Sequence, residues 1–149
     1  MSTSCLIGIR KAGSLHDTVK YTRVNWDGYL DGVGYNLVNY FIDENTVEKL
    51  IDKGELSQLS ESIDSSVYYP KNKCDGDLPK EIDLDKYNVF DFNGNVEFVY
   101  LFQNGEWFAQ GYECGYIKLK DWFAVNNEDE SGKSNWDKFG EYYDRYWFR

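Results

Sequence analysis

Asn104-Gly105, set between β-rich runs at 96–102 and 107–112, is the feature that most narrows how this chain folds. An Asn-Gly pair takes the two left-handed positions of a two-residue turn, whose twist matches that of the strands it joins. Residues 96–112 therefore read as an antiparallel hairpin. A second hairpin is predicted at the start of the chain. Cys5, Ile7 and Ile9 alternate onto one face of a first strand, Lys11-Ala12-Gly13-Ser14 supplies a turn, and residues 19–26 are rich in β-forming side chains.

Between the hairpins the apolar period lengthens. Val33, Leu37, Val38, Tyr40 and Phe41 fall on one helical stripe, and Val47, Leu50 and Ile51 on another. Asp43 or Asn45 is positioned to cap the second helix, and Lys53-Gly54 to end it. Residues 60–86 hold both prolines and read as a long loop excursion with one short strand at 66–69. Residues 89–92 look like a further strand, and Tyr116-Ile117-Lys118-Leu119 an extension of the sheet. After a polar stretch at 126–134, Trp136, Phe139, Tyr143, Tyr146 and Trp147 recur at helical spacing, predicting a terminal amphipathic helix over 135–147. The expected fold is α+β: a mainly antiparallel sheet packed against helices, one domain over residues 1–149, a length that suits a single core.

Charge narrows the function. The chain carries a net −10, and the imbalance is uneven. Residues 1–74 hold eight basic and ten acidic side chains, a net −2; residues 75–149 hold eight and sixteen, a net −8. Such a chain repels phosphate backbones, so no direct nucleic-acid binding is expected. Apolar runs of four to five residues exclude a transmembrane span, and the opening residues read as a strand rather than a leader. Three widely spaced cysteines (Cys5, Cys74 and Cys114) and one histidine, His16, argue against a disulfide framework, a metal site and a cofactor, and fit reduced thiols in a cytoplasm.

The densest motif is Trp26-Asp27-Gly28-Tyr29 followed by Gly32-Val33-Gly34. One reading is a ligand loop in which glycine N–H groups approach an anion while Trp26 and Tyr29 stack on it, for example a nucleotide signal. The other is a strand-to-helix joint that needs glycine for close approach. Asn126-Asn127-Glu128-Asp129-Glu130-Ser131-Gly132 fails as a calcium loop, because Lys138 falls where a bidentate Glu is required. Paired carboxylates across a cleft would make a hydrolase, the least favoured reading. Carboxylates in 75–91 and 121–144 are interleaved with Tyr87, Phe90, Trp122, Trp136, Tyr142 and Tyr143. Aromatic anchors ringed by carboxylates suit a basic protein partner. The contact candidates are Asp75, Asp77, Asp83, Trp122, Glu128, Asp129, Glu130, Trp136, Tyr142 and Tyr143.

Met1-Ser2-Thr3-Ser4 with Ile7, Trp26-Asp27-Gly28-Tyr29, Gly32-Val33-Gly34 and Leu50-Ile51-Asp52-Lys53-Gly54-Glu55-Leu56-Ser57-Gln58-Leu59 resemble a family of small bacteriophage proteins. The likeness covers residues 1–59 and a shorter piece at 96–108, where Tyr100-Leu101-Phe102-Gln103-Asn104-Gly105-Glu106-Trp107 is similar to that family's later strand pair. Asn25 stands where the family often has His. The resemblance implies phage or prophage origin and action in the host cytoplasm, and implies no enzyme activity. With the charge, it leads to an expected non-enzymatic function: an anti-defence protein, of the anti-CRISPR kind, that binds a host protein with a basic surface.

Overall fold

The computed structural model describes residues 3–69, 78–92, 95–112 and 114–128. The expected terminal helix over 135–147 lies outside them, as do residues 70–77 of the 60–86 excursion. The first hairpin forms as the alternation demands: β1 (Cys5–Lys11) pairs antiparallel with β2 (Thr18–Val24). A wide turn at Leu30–Gly34 leads into α1 (Tyr35–Tyr40), and α2 (Glu44–Asp52) follows. The Asp43 side chain accepts from the Thr46 N–H at 3.1 Å and caps α2, and Gly54 closes it at φ 89°. Along α1, Leu37 and the following Phe41 face the core, whereas Tyr40 is turned to solvent.

Short strands β3 (Leu56–Gln58) and β4 (Val67–Tyr68) come next, then β5 (Lys80–Asp83), a strand within the excursion that its pattern does not disclose. The Asn104-Gly105 hairpin is present, with both residues at positive φ, joining β6 (Phe98–Gln103) to β7 (Glu106–Gly111). β8 (Cys114–Lys118) extends the sheet and runs directly into α3 (Leu119–Glu128). That helix runs on to Glu128, into the stretch that the pattern marks only as polar.

Among the described residues the strands make one eight-stranded sheet in the order β4-β3-β2-β1-β6-β7-β8, with β5 on β2. The pairing is mostly antiparallel, but β2 and β3 meet in parallel at Val24 and Leu56, and β1 and β6 run parallel from Cys5 opposite Phe98 to Ile9 opposite Phe102. Both faces are covered. Cys5, Ile7 and Ile9 point to α1, α2 and α3 and join a core with Leu37, Phe41, Leu50, Tyr100 and Trp107. Leu6 points the other way, into a second cluster with Val19, Tyr87, Val89, Val99 and Leu101. Burial pushes the Cys5 thiol far up, so it is an inert core residue.

Residues 89–92 are turns rather than the expected strand. The Asn88 carbonyl oxygen of the side chain accepts from the Phe90 and Asp91 N–H groups at 3.0 Å each. That local turn satisfies donors that a sheet would otherwise need. Val89 still contributes its side chain to the second cluster.

α2 is fastened to the first hairpin by charge. Glu48 accepts from Lys11 Nζ at 2.6 Å and from Lys20 Nζ at 2.9 Å, and Lys20 also reaches Asp52 at 2.6 Å. The Lys11 hydrogen bond, followed by that of Lys20, holds the Glu48 carboxyl below the ordinary glutamate range. A carboxylate with a lowered folded-state pKa stabilises above its unfolded value, and that contribution is lost as pH falls through the folded one. Glu48→Gln is therefore expected to cost less than about 1 kcal/mol at neutral pH, because these groups are partly solvent-screened. It should also flatten the loss of stability between about pH 5 and about pH 3. Urea midpoints of the two proteins across that range are the check.

Candidate functional site

The motif at 26–34 is built on the end of β2. Past Val24 the chain keeps pairing with β3: the Asn25 N–H donates to the Leu56 carbonyl and that of Trp26 to the Ser57 carbonyl, both at 3.1 Å. The chain then turns through Asp27, at φ 59°, and drops beneath the start of β1. The Gly28 N–H donates to the Thr3 carbonyl at 2.8 Å, and the Gly28 carbonyl accepts from the Tyr100 hydroxyl at 2.7 Å. A Cβ on Gly28 would stand 2.8 Å from the Thr3 oxygen and 2.9 Å from Cys5 Cβ; only glycine fits there.

The remaining glycine donors also point inward. The Gly32 N–H donates to the Tyr29 carbonyl at 3.0 Å, that of Val33 to the Asp27 carbonyl at 2.9 Å, and that of Gly34 to the Tyr29 carbonyl at 3.5 Å. Leu30 and Val33 are buried, while Trp26 and Tyr29 stay 48% and 44% exposed. All three glycine N–H groups of the ligand-loop reading are thus engaged within the chain, and the geometry is that of a strand-to-helix joint.

Asn25, in the position where the resembled family often has His, is tied into a polar network. Its side-chain amide donates to Glu55 at 2.6 Å and to the Tyr69 hydroxyl at 3.1 Å, and its oxygen accepts from Arg23 Nε at 2.7 Å. Arg23 also donates to the Asn95 carbonyl at 3.0 Å. The network joins the ends of β2, β3 and β4.

The expected partner-binding residues are spread more widely. Asp83, at the end of β5, is hydrogen bonded to His16 Nε2 at 2.6 Å, and the neighbouring Glu81 accepts from the Thr18 hydroxyl at 2.5 Å. Both carboxylates pin β5 to the first hairpin. Trp122 corrects the sequence reading. It is 5% exposed and belongs to the core under α3, packed edge-on against Phe123 at 4.9 Å, so it offers no surface anchor. The interleaved Tyr87 is buried as well. Glu128 ends α3. Asp75, Asp77, Asp129, Glu130, Trp136, Tyr142 and Tyr143 lie outside the described residues. Among the described residues no three His, Cys, Asp or Glu side chains converge as a metal ion requires, and no helix is long and apolar enough to cross a membrane.

Two surfaces emerge that residue patterns leave hidden. Phe90 and Tyr112 come together from distant segments, edge to face at 5.4 Å, and remain 59% and 45% exposed. The Tyr112 hydroxyl donates to the Val89 carbonyl at 3.2 Å, which fixes the ring beside the turn that carries exposed Asp85 and Asp91. The position of Phe90 between those carboxylates is visible in sequence; its pairing with a residue beyond β7 is not. The second surface is a groove of about 800 Å³ between α1 and α3, floored by Val38 and Trp107. Tyr35, Ile42 and Phe123 also line it, as do Lys120, Asp31 and the Lys118–Glu106 ion pair at 3.4 Å. No family model, curated protein or solved structure matches this chain.

Proposed function

We propose that this chain is a non-enzymatic, phage-encoded binding protein that inhibits a host protein by covering a basic, nucleic-acid-binding surface, an anti-defence role of the anti-CRISPR kind. The observation that carries the reading is the Phe90–Tyr112 pair: two rings held at fixed geometry, exposed, beside Asp85 and Asp91. Rigid aromatic anchors lose little conformational freedom on docking, and surrounding carboxylates select for a cationic partner and speed its approach. The net charge of −10 acts in the same direction over longer range. The resemblance to small phage proteins at residues 1–59 supplies the setting, and those residues form the scaffold rather than the contact.

The test is capture from a bacterial host lysate at low and high salt, with and without competing nucleic acid. The expected result is retention of a basic protein that salt and nucleic acid both displace. Phe90→Ala combined with Asp91→Lys is expected to weaken capture by about tenfold or more, equivalent to about 1.4 kcal/mol. Both side chains are exposed, so the variant keeps its fold. Capture that ignores salt, nucleic acid and the double substitution sinks the proposal.

A further inference from the structure

We infer that the groove between α1 and α3 is the docking site for the chain's own segment 135–147. The groove gathers several large apolar side chains within a mixed lining. Tyr35 and Ile42 are 47% and 67% exposed there, half-buried Val38 and Phe123 lie beside them, and the polar lining includes Lys120 together with Lys118, which pairs with Glu106 at 3.4 Å, and Asp31. Large apolar side chains gathered on one surface favour an apolar cover. Segment 135–147 has the matching composition. Trp136, Phe139, Tyr143 and Trp147 fall on one stripe at helical spacing, and Asp137, Glu141 and Asp144 on the stripe beside it. An aromatic stripe set against Tyr35, Val38, Ile42 and Phe123 leaves those carboxylates free to meet Lys120.

Position and reach select this occupant over a separate peptide of the same chemistry. The segment follows α3, whose Phe123 is a wall of the groove. α3 runs only about 7.5 Å beyond Phe123, while residues 129–135 span up to about 24 Å when extended. Trp136 can therefore return to the groove. A tether this short gives a local concentration in about the millimolar range. The inference is independent of the proposed function, since Phe90 and Tyr112 lie outside the groove. It assigns Trp136 and Tyr143 to the protein's own surface instead of a partner's.

The experiment places the photocrosslinker p-benzoylphenylalanine at exposed position Ile42 in the full chain, with the same group at exposed Trp26 as control. Both are irradiated at high dilution without any partner. The expected result is a cross-link within one chain from position 42 to a peptide inside 135–147, and none to that segment from position 26. Trp136→Ala, and separately Lys120→Glu at low salt, should each lower the yield from position 42. Circular dichroism confirms that each variant is folded. Absence of the cross-link, a yield indifferent to both substitutions, or links formed only between chains overturns the inference; the last would assign the groove to a second copy.

Discussion

Tyr87→Ala is expected to destabilise the protein by about 3–5 kcal/mol, the range for emptying a buried aromatic site. The side chain is 1% exposed and central to the cluster on the face opposite the helices. Its ring packs against Tyr21 at 5.7 Å and Phe92 at 6.4 Å. Its hydroxyl donates to the Tyr100 carbonyl at 2.6 Å, and its own carbonyl accepts from the Tyr116 hydroxyl at 2.5 Å. The room for this ring comes from Gly8 in β1, where a Cβ would lie 2.8 Å from the Tyr87 oxygen. Tyr87→Phe keeps the ring and removes one hydrogen bond, so its expected cost is about 1 kcal/mol. Urea unfolding followed by circular dichroism separates the two. If Tyr87→Ala costs no more than Tyr87→Phe, residues 78–92 are a surface loop and the second core is not a source of stability.

Gly28→Ala is expected to cost about 2–4 kcal/mol, combining overpacking with weakening of a buried hydrogen bond. The new methyl meets the Thr3 carbonyl oxygen and Cys5 Cβ below 3.0 Å. Cys5 has no room to retreat, because it is fully buried and its strand is paired on both sides, with Val24 and with Phe98. Any shift also moves the Gly28 carbonyl away from the Tyr100 hydroxyl. Trp26→Ala is the contrast: it alters the same motif at an exposed ring and should change stability by no more than about 0.5 kcal/mol. A ligand loop would reverse the emphasis, with Trp26 decisive for binding and Gly28 tolerant. Thermal and urea unfolding of both variants decide between a joint and a binding loop. Equal stability of the Gly28→Ala protein and the parent would remove the joint reading.

Much of the fold was legible where local chemistry settles it. Asn104-Gly105 requires two left-handed residues, so the second hairpin follows from its turn. Asp43 and Gly54 bracket α2 because a capping side chain and a left-handed terminus are local needs. Residues 89–92 misled because alternation alone does not reveal that Asn88 captures the next two N–H groups. α3 was obscured because its polar end and its buried Trp122 pull the pattern in opposite directions. The candidate site fared similarly: the aromatic content of the acidic half was plain, but which rings face water was not. Trp122 and Tyr87 turned inward, whereas Phe90 stayed out and met Tyr112.

By itself the sequence determined the strand and helix periods, the turns that join near neighbours and the negative charge of the second half, because each depends on residues close in the chain. Only the tertiary structure decided the parallel pairing of β1 with β6, the burial of Gly28 under Thr3 and the union of Phe90 with Tyr112. Those contacts join residues 93, 25 and 22 positions apart (Cys5–Phe98, Thr3–Gly28 and Phe90–Tyr112), and are selected by how two cores close on the sheet rather than by any local preference.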